Sequence, residues 1–190
     1  AEKKFGTKGR VHFNVGGSQA VEDSLKLVRN FKGGKSLMFA FEGGYHGLFD
    51  AAMWMANLED WDHTSNTDPE MISYGKGIPN TVKQLAHLVP MNDMQRLEDT
   101  FKRHGDKLAA MLIEPIQGNC CGIMARVEYV QLARKLCDQY GVLLIIDEVK
   151  TGFRLAPGGA AEYFGVTADL YTFAKSLGNG FPIAAIGGKA

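Results

Sequence analysis

Two side chains in the second half of the sequence, Asp147 and Lys175, have the chemistry expected of an active site. Each follows a short apolar run, residues 142–146 before the carboxylate and residues 170–174 before the amine. Short apolar runs rich in branched residues are typical of strands that are buried on both faces. Ligands of open α/β sheets bind at the carboxyl ends of the strands, so we expect both groups to face one crevice.

A carboxylate and an amine that can lose its proton suit one cofactor in particular. Pyridoxal phosphate needs a carboxylate partner for its pyridine nitrogen and a lysine amine with which it forms a Schiff base. Asp147 would keep the ring nitrogen protonated, so that the ring accepts electrons when a substrate Cα proton leaves. Lys175 would carry that proton as general base and acid. The residue types therefore predict a pyridoxal phosphate site.

Composition and charge argue against several classes of function. The 190 residues suffice for one well-filled core, and 21 basic residues balance 21 acidic ones. No basic patch stands out, which argues against a nucleic acid or an anionic membrane as partner. Three cysteines lack disulfide or metal-ligand spacing, and the sequence shows neither a signal region nor an apolar run of roughly 18 residues. We therefore expect a cytoplasmic domain without a metal.

A glycine turn near the amino terminus is a candidate anion site. Residues 11–15 form a predicted strand, after which Gly16, Gly17 and Ser18 lead into a helix. The helix has an apolar stripe at i, i+4 and i+7, formed by Val21, Leu25 and Val28. Glycines let a ligand approach the backbone, and the free N–H groups at a helix start bind phosphate. An ordinary serine-capped helix is the alternative interpretation.

Two further predicted strands also end in polar residues. Strand 37–41 precedes a glycine-rich segment with Tyr45 and His46, and strand 108–113 precedes Glu114. An aromatic ring flanked by glycines suits contact with the face of a flat ligand. Alternatively, Tyr45 only packs and His46 is a loop histidine whose hydrogen bonds are satisfied.

Alternation of strands and helices predicts the fold class. We expect a surface helix over residues 91–105, and a second helix that ends at Gly141 as its C-cap. This alternation favours an α/β fold with a mainly parallel sheet and right-handed crossovers. Residues 48–90 lack a regular pattern and contain both tryptophans, Trp54 and Trp61. We interpret them as an irregular segment and a candidate active-site lid.

Five segments occur in an order that resembles a known family. They are residues 17–22 (GSQAVE), 45–47 (YHG), 114–118 (EPIQG), 147–154 (DEVKTGFR) and 172–178 (TFAKSLG). Together they resemble the class III aminotransferases of the fold-type I pyridoxal-phosphate enzymes, and residues 118–166 look most like the glutamate-1-semialdehyde 2,1-aminomutases. The resemblance covers nearly the whole chain. It implies a three-layer α/β/α sandwich, the large domain of a fold-type I transferase.

The resemblance also implies a role for each matching residue. Lys175 would be the Schiff-base lysine and Asp147 the partner of the pyridine nitrogen. The other implied cofactor contacts are Gly17 and Ser18 at the phosphate, Tyr45 and Val149 on the two ring faces, Asn119 at the phenolic oxygen, and His46 and Glu114 beside the cofactor. The implied reaction is transamination or intramolecular 2,1-amino transfer, on an amino acid or amino-aldehyde and in a homodimer.

The chain departs from the family pattern in sequence and in length. Lys150 stands where many members have glutamine, and Gln19 stands where glutamate is usual. Because the family's enzymes are considerably longer, we expect residues 1–190 to be a truncated large domain, without the N-terminal segment and the C-terminal domain. Catalysis by this part alone is in doubt for the same reason.

Two other classes of function compete with an enzyme. A truncated remnant would keep the fold as a binding or assembly module, but the joint presence of Asp147, Lys175 and Asn119 argues against it. A nucleotide-binding domain fails on motif spacing, because Gly16-Gly17 lacks the third glycine of the dinucleotide fingerprint and Arg29 replaces the first glycine of a phosphate loop.

Overall fold

Seven strands form one sheet in the computed structural model, which describes residues 8–57 and 68–189. The strands of the chain are β1 (Gly9–Asn14), β2 (Leu37–Phe41), β3 (Trp54–Ala56), β4 (Met71–Ser73), β5 (Ala86–Val89), β6 (Leu108–Ile113), β7 (Ile116–Gln117), β8 (Ile123–Met124), β9 (Leu143–Asp147), β10 (Leu170–Phe173) and β11 (Ala184–Lys189). The order in the large sheet is β1-β11-β10-β9-β6-β2-β5. Strands β3 and β4 form one antiparallel pair, and β7 and β8 another.

The direction of the strands brings their carboxyl ends to one edge. Strand β11 is antiparallel to both of its neighbours, and the other adjacent pairs are parallel. In this register Ile113 lies opposite Ile146, and Asp147 lies opposite Thr172. The segments that follow β1, β2, β6, β9 and β10 therefore start at the same edge of the sheet.

Helices cover both faces of the sheet. They are α1 (Gly17–Phe31), α2 (Met94–His104), α3 (Val127–Tyr140) and α4 (Gly159–Tyr163). The buried side of α1 packs in one apolar cluster with alternate residues of β2, Met38 and Ala40. The other alternate residues, Phe39 and Phe41, pack in a second cluster with residues of α2, α3 and α4. The three-layer α/β/α sandwich is confirmed.

Local signals explain the positions of the helices. The predicted stripe of α1 is buried, with Val21, Leu25 and Val28 each 1% exposed, and burial of such a side chain stabilises the fold by about 1.5–3 kcal/mol. Gly141 terminates α3 with φ of 64°, a left-handed conformation that favours glycine. Asp93 caps α2 by accepting a hydrogen bond from Arg96 N at 2.9 Å.

The interpretation of residues 48–90 as irregular is wrong in part. Residues Ala86–Val89 form β5, a buried edge strand paired in parallel with β2, and β3 and β4 form a further pair. Alternation was absent because β5 is buried on both faces. Trp61 lies outside the described residues, and the lid stays a prediction. Within the described ranges, no helix has the length and apolarity needed to cross a bilayer.

Candidate active site

A cavity of about 290 Å³ opens at the carboxyl edge of the sheet. Eight of the nine residues predicted for the site line it: Gly17, Ser18, Tyr45, His46, Glu114, Asp147, Val149 and Lys175. These residues come from distant parts of the sequence, and the shared edge of the parallel strands brings them together. The ninth, Asn119, does not line the cavity but accepts a hydrogen bond from Lys150, which does.

Asp147 is a buried carboxylate held by three donors. It is 2% exposed. Its Oδ1 accepts hydrogen bonds from Val149 N at 3.0 Å and from Thr172 Oγ1 at 3.1 Å. Its Oδ2 lies 2.8 Å from His46 Nδ1. Hydrogen bonds offset the cost of burying a polar group, so these contacts hold the Asp147 side chain in its buried position.

His46 orients this carboxylate from the loop after β2. Since an ionised carboxylate only accepts hydrogen bonds, Nδ1 of His46 must carry the proton that it shares with Asp147. The histidine is 4% exposed, and its Nε2 has no hydrogen-bond partner among the residues that the structure describes. The sequence suggested a histidine beside the ligand, and the structure adds that it contacts the aspartate directly.

Lys175 follows β10 in a strained backbone conformation. Its φ is 45°, a left-handed value that a residue with a Cβ adopts only when the surrounding structure enforces it. Partial burial, followed by the positive charge of Lys150, lowers the pKa of Lys175 below its usual 10.5. Asp147 and Glu114 act in the opposite direction without reversing the shift. The Lys175 amine is therefore more readily neutral than a lysine in water.

The start of α1 also lines the cavity. As at every helix start, the N–H groups of the first turn have no intrahelical acceptor. The N-cap residue, Gly16, has no side chain that could accept from them. Ser18 does not cap this helix, because its Oγ accepts a hydrogen bond from Leu48 N at 3.2 Å. A Cβ on Gly17 would lie 3.2 Å from Val149 Cγ1, so the turn is packed closely against the segment after β9. These N–H groups and the helix dipole suit an anion.

Glu114 joins the segments after β2 and β6. It is 2% exposed and accepts hydrogen bonds from Tyr45 N at 3.3 Å and from Gly118 N at 3.2 Å. These bonds set the course of the loop that carries Tyr45 into the cavity. Val149 lines the cavity from the segment after β9. Tyr45 and Val149 therefore line the same cavity from two different segments.

Lys150 links Asn119 to the cavity. Its Nζ donates a hydrogen bond to Asn119 Oδ1 at 2.5 Å and lies 3.7 Å from Glu114 Oε1. The ammonium also lies 5.6 Å from the centre of the Tyr45 ring, within the range of a cation–π contact. Asn119 is exposed and contacts the lining through this lysine. The sequence marked Lys150 only as a departure from a family pattern.

Sequence reasoning missed several other residues of the site. Thr172 is fully buried and holds Asp147, and the segment 181–183 closes one side of the cavity with Phe181, Pro182 and Ile183. The position of Thr172 in β10, level with Asp147, was available only once the strand pairing was known. Phe181 is 80% exposed and carries no sequence signal that distinguishes it from a surface residue.

Chemically, the cavity combines an anion site, a buried carboxylate and an amine. The start of α1 suits a phosphate, Asp147 suits a protonated ring nitrogen, and Lys175 suits reaction with a carbonyl carbon.

Comparison with protein families matches nearly all of the chain. The family model described as Aminotransferase class-III matches residues 2–190. A curated relative, the glutamate-1-semialdehyde 2,1-aminomutase of Persephonella marina, is 40% identical over 179 residues, which are 94% of this chain and 40% of that protein. The chain thus spans about 40% of the length of this relative.

Solved structures agree with this match. An omega-transaminase from Sphaerobacter thermophilus superposes with a TM-score of 0.86 at 31% identity, over 100% of this chain and 42% of its own. A structure described as a transaminase with PLP bound gives a TM-score of 0.84 at 28% identity, over 99% of this chain and 42% of its own.

Proposed function

Because this chain belongs to the class-III aminotransferase family, we propose that it forms the cofactor-binding part of an enzyme that transfers amino groups with pyridoxal 5'-phosphate. The observation that carries the proposal is the presence of Asp147 and Lys175 in one cavity. A buried carboxylate and a reactive lysine amine are the two groups that this cofactor demands of a protein. The similar transaminase with PLP bound supports the choice of cofactor.

The residues of the cavity fit this cofactor in three respects. Asp147 Oδ1 accepts two hydrogen bonds and Oδ2 accepts one, so Oδ2 retains an acceptor position for a protonated ring nitrogen. The first turn of α1 offers N–H groups to phosphate oxygens. The cavity volume of about 290 Å³ is close to the lower end of the usual range for small-molecule pockets, roughly 300–1,000 Å³.

Each side chain of the site then has a holding role. Gly17 and Ser18 would bind the phosphate at the start of α1. Tyr45 and Val149 would contact the two faces of the ring. Asp147, oriented by His46, would bind the ring nitrogen, and Glu114 would lie beside the cofactor. Asn119 would bind the phenolic oxygen next to Lys150, with which it shares a hydrogen bond.

Two residues, Lys175 and Asp147, would move or hold protons during the reaction. When bound, the cofactor supplies a ring that accepts the electron pair left on the substrate Cα after its proton departs. Lys175 Nζ would hold the cofactor covalently and, once the substrate amine displaces it, take and return the Cα proton. The lowered pKa of Lys175 favours the neutral amine that this role needs. The charge of Asp147 would keep the proton on the ring nitrogen.

Similarity to the aminomutase favours intramolecular 2,1-amino transfer within this class of reaction, with an amino acid or amino-aldehyde as substrate. Transfer between two molecules, as in the similar omega-transaminase, is the second form. We further propose that the protein acts as a homodimer, as the family resemblance implies. Three free cysteines, Cys120, Cys121 and Cys137, support a reducing cytoplasm as its location.

Trapping of the cofactor on lysine tests the proposal. The chain is incubated with pyridoxal 5'-phosphate and borohydride, and the modified residue is located by peptide mass spectrometry. We expect one adduct at Lys175, lost in Lys175→Ala and retained in the control Lys189→Ala, since Lys189 ends β11 away from the cavity. A folded chain without an adduct, or an adduct that persists in Lys175→Ala, contradicts the proposal.

Turnover then separates an enzyme from a remnant that only binds. The cofactor-loaded chain is assayed with glutamate 1-semialdehyde alone, and separately with an amine and a keto acid. Product in the first assay supports intramolecular transfer, and product only in the second supports transamination. Adduct formation without product in either assay favours the binding module.

A further inference from the structure

Lys150 is a second lysine in the cavity, and its ammonium is fixed in place. Its side chain is only 22% exposed. The ammonium bonds to Asn119 Oδ1 at 2.5 Å, lies 3.7 Å from Glu114 Oε1 and sits 5.6 Å from the centre of the Tyr45 ring. A surface lysine would move freely in solvent, whereas these three contacts come from two different loops and converge on one nitrogen.

The absence of a side chain at Gly118 leaves room for the aliphatic part of the Lys150 side chain. A Cβ on Gly118 would lie 2.3 Å from Lys150 Cδ and 3.0 Å from Nζ, so any other residue at position 118 would displace the lysine. Gly118 and Asn119 belong to the same turn, and the N–H of Gly118 donates to Glu114 at 3.2 Å. The turn after β6 therefore leaves room for the Lys150 side chain at Gly118. It also supplies Asn119 Oδ1 as hydrogen-bond acceptor and Glu114 as the negative charge for the ammonium group.

The charged groups near Lys175 indicate how the fixed ammonium of Lys150 affects the protonation of the Lys175 amine. Lys150 and Lys175 line the same cavity as the carboxylates Asp147 and Glu114, and Arg154 adds a further positive charge that acts on Lys175. Asp147 is itself bonded to His46. The carboxylates favour a proton on the Lys175 amine, and like charges disfavour it. Loss of the Lys150 charge would therefore shift the balance at Lys175 toward the protonated, unreactive amine.

We propose that Lys150 is a positioning residue, a cation fixed by Asn119 and Glu114 in the cavity that also holds Lys175, where its charge favours the neutral, nucleophilic form of the Lys175 amine. The inference rests on the proposed function, since Lys175 must be the amine that reacts. Of the charged neighbours of Lys175, Lys150 has the largest effect on its pKa, after partial burial, and the direction is downward. Asn119 thereby acts on the reaction through Lys150.

Two substitutions separate this charge from the bulk of the side chain. Lys150→Met removes the positive charge and keeps a flexible apolar stem, while Lys150→Arg keeps the charge. If Lys150 only filled space and supported the turn, both changes would leave the protonation of Lys175 where it is, or would disturb it equally.

NMR titration of the cofactor-free chain measures the effect directly. With lysines labelled at Cε and Nζ, the signal of Lys175 is assigned by its absence from Lys175→Met, and its shift is followed with pH. We expect the titration midpoint of Lys175 to move upward in Lys150→Met and to stay in place in Lys150→Arg. Adduct formation with pyridoxal 5'-phosphate at neutral pH should slow in Lys150→Met, because less neutral amine is present.

An unchanged midpoint in Lys150→Met, or equal shifts in both variants, would overturn the role of Lys150. If Lys150→Met does not fold, Lys150→Gln provides the same loss of charge and is judged by the same criterion. The titration needs no cofactor, so its failure differs from failure of the proposed function. The latter shows as a wild-type chain that forms no adduct at Lys175, whatever its titration midpoint.

Discussion

Replacing Asp147 by asparagine tests the proposed contact with the ring nitrogen. Oδ1 of Asp147 accepts from two donors, Val149 N and Thr172 Oγ1, so the amide oxygen of an asparagine must take the place of Oδ1. The amide NH₂ then occupies the place of Oδ2, next to His46 Nδ1. Histidine adapts by moving its proton to Nε2, so that Nδ1 accepts. The fold survives the change, but an acceptor in the cavity becomes a donor.

The size of the effect follows from this orientation. A donor at the Oδ2 position cannot accept the proton of the ring nitrogen, so the whole charge-assisted hydrogen bond is lost. Such a bond contributes about 1.5–3 kcal/mol. Since 1.4 kcal/mol corresponds to a tenfold change in Kd, we expect binding to weaken by about 10- to 150-fold in Asp147→Asn.

Pyridoxamine 5'-phosphate is the appropriate ligand for the measurement, because it forms no covalent bond with Lys175 and reports non-covalent contacts alone. Its Kd is measured by fluorescence titration for the wild type, Asp147→Asn and the control Asp169→Asn. Asp169 is a partly buried aspartate whose side-chain partners, Arg134, Leu144 N and Lys189, lie outside the cavity. Nitrogen NMR of His46 reads the tautomer in parallel.

We expect weakened binding only in Asp147→Asn, together with a proton on Nε2 of His46. A folded Asp147→Asn variant that binds as tightly as the wild type would refute the assignment of Asp147. A His46 proton that stays on Nδ1 would refute the predicted orientation of the amide.

Three further predictions concern the surroundings of the site. Glu148→Gln should lower the free energy of unfolding in urea by about 1–3 kcal/mol. The fully buried carboxylate of Glu148 accepts hydrogen bonds from two N–H groups at the start of α4, and the NH₂ of a glutamine would face one of these donors. Desolvation is the largest single effect on Asp169 and raises its pKa, but the hydrogen bonds from Arg134 and Leu144 N and the charges of Arg134 and Lys189 together lower the pKa below its usual 3.8. The stability that Asp169 contributes is present above pH 3.8 and is lost as pH falls through the lower folded value. In Asp169→Asn, the free energy of unfolding in urea should therefore depend less on pH in this acidic range. Gly47→Ala should lower the melting temperature and weaken phosphate binding, because its Cβ would lie 2.6 Å from Ser18 Oγ at a φ of 115°.

Two of these predictions have a matched control in the chain. Glu162→Gln alters an exposed carboxylate near the start of α4, and we expect a change within about 0.5 kcal/mol. Gly16→Ala adds a Cβ with nothing within 4 Å. A loss in Glu148→Gln no larger than that in Glu162→Gln would contradict the role of buried Glu148. Equal melting temperatures of Gly47→Ala and Gly16→Ala would contradict the close contact with Ser18, and an unaltered acid limb in Asp169→Asn would contradict the pairing with Arg134.

Much of the fold was readable from local pattern. The apolar runs at 37–41, 108–113 and 142–146 predicted β2, β6 and β9 to within one residue, and the stripe of α1 and the glycine after α3 were confirmed. These signals are local, because a strand buried on both faces must be apolar throughout and a helix that packs on a sheet must carry an apolar stripe. Strand β5 was missed because a run of only four residues that is buried on both faces shows no alternation of apolar and polar residues.

For the site, the sequence by itself determined the identity of the reactive groups. Asp147, Lys175 and the glycine turn before α1 were apparent because each directly adjoins a predicted strand end or helix start. Only the tertiary structure decided which groups meet. The bonds of Asp147 to His46 and to Thr172 join residues 101 and 25 positions apart, and the contact of Lys150 with Asn119 spans 31. Such contacts depend on the order and register of the strands, which are set by packing across the whole sheet rather than by any local pattern.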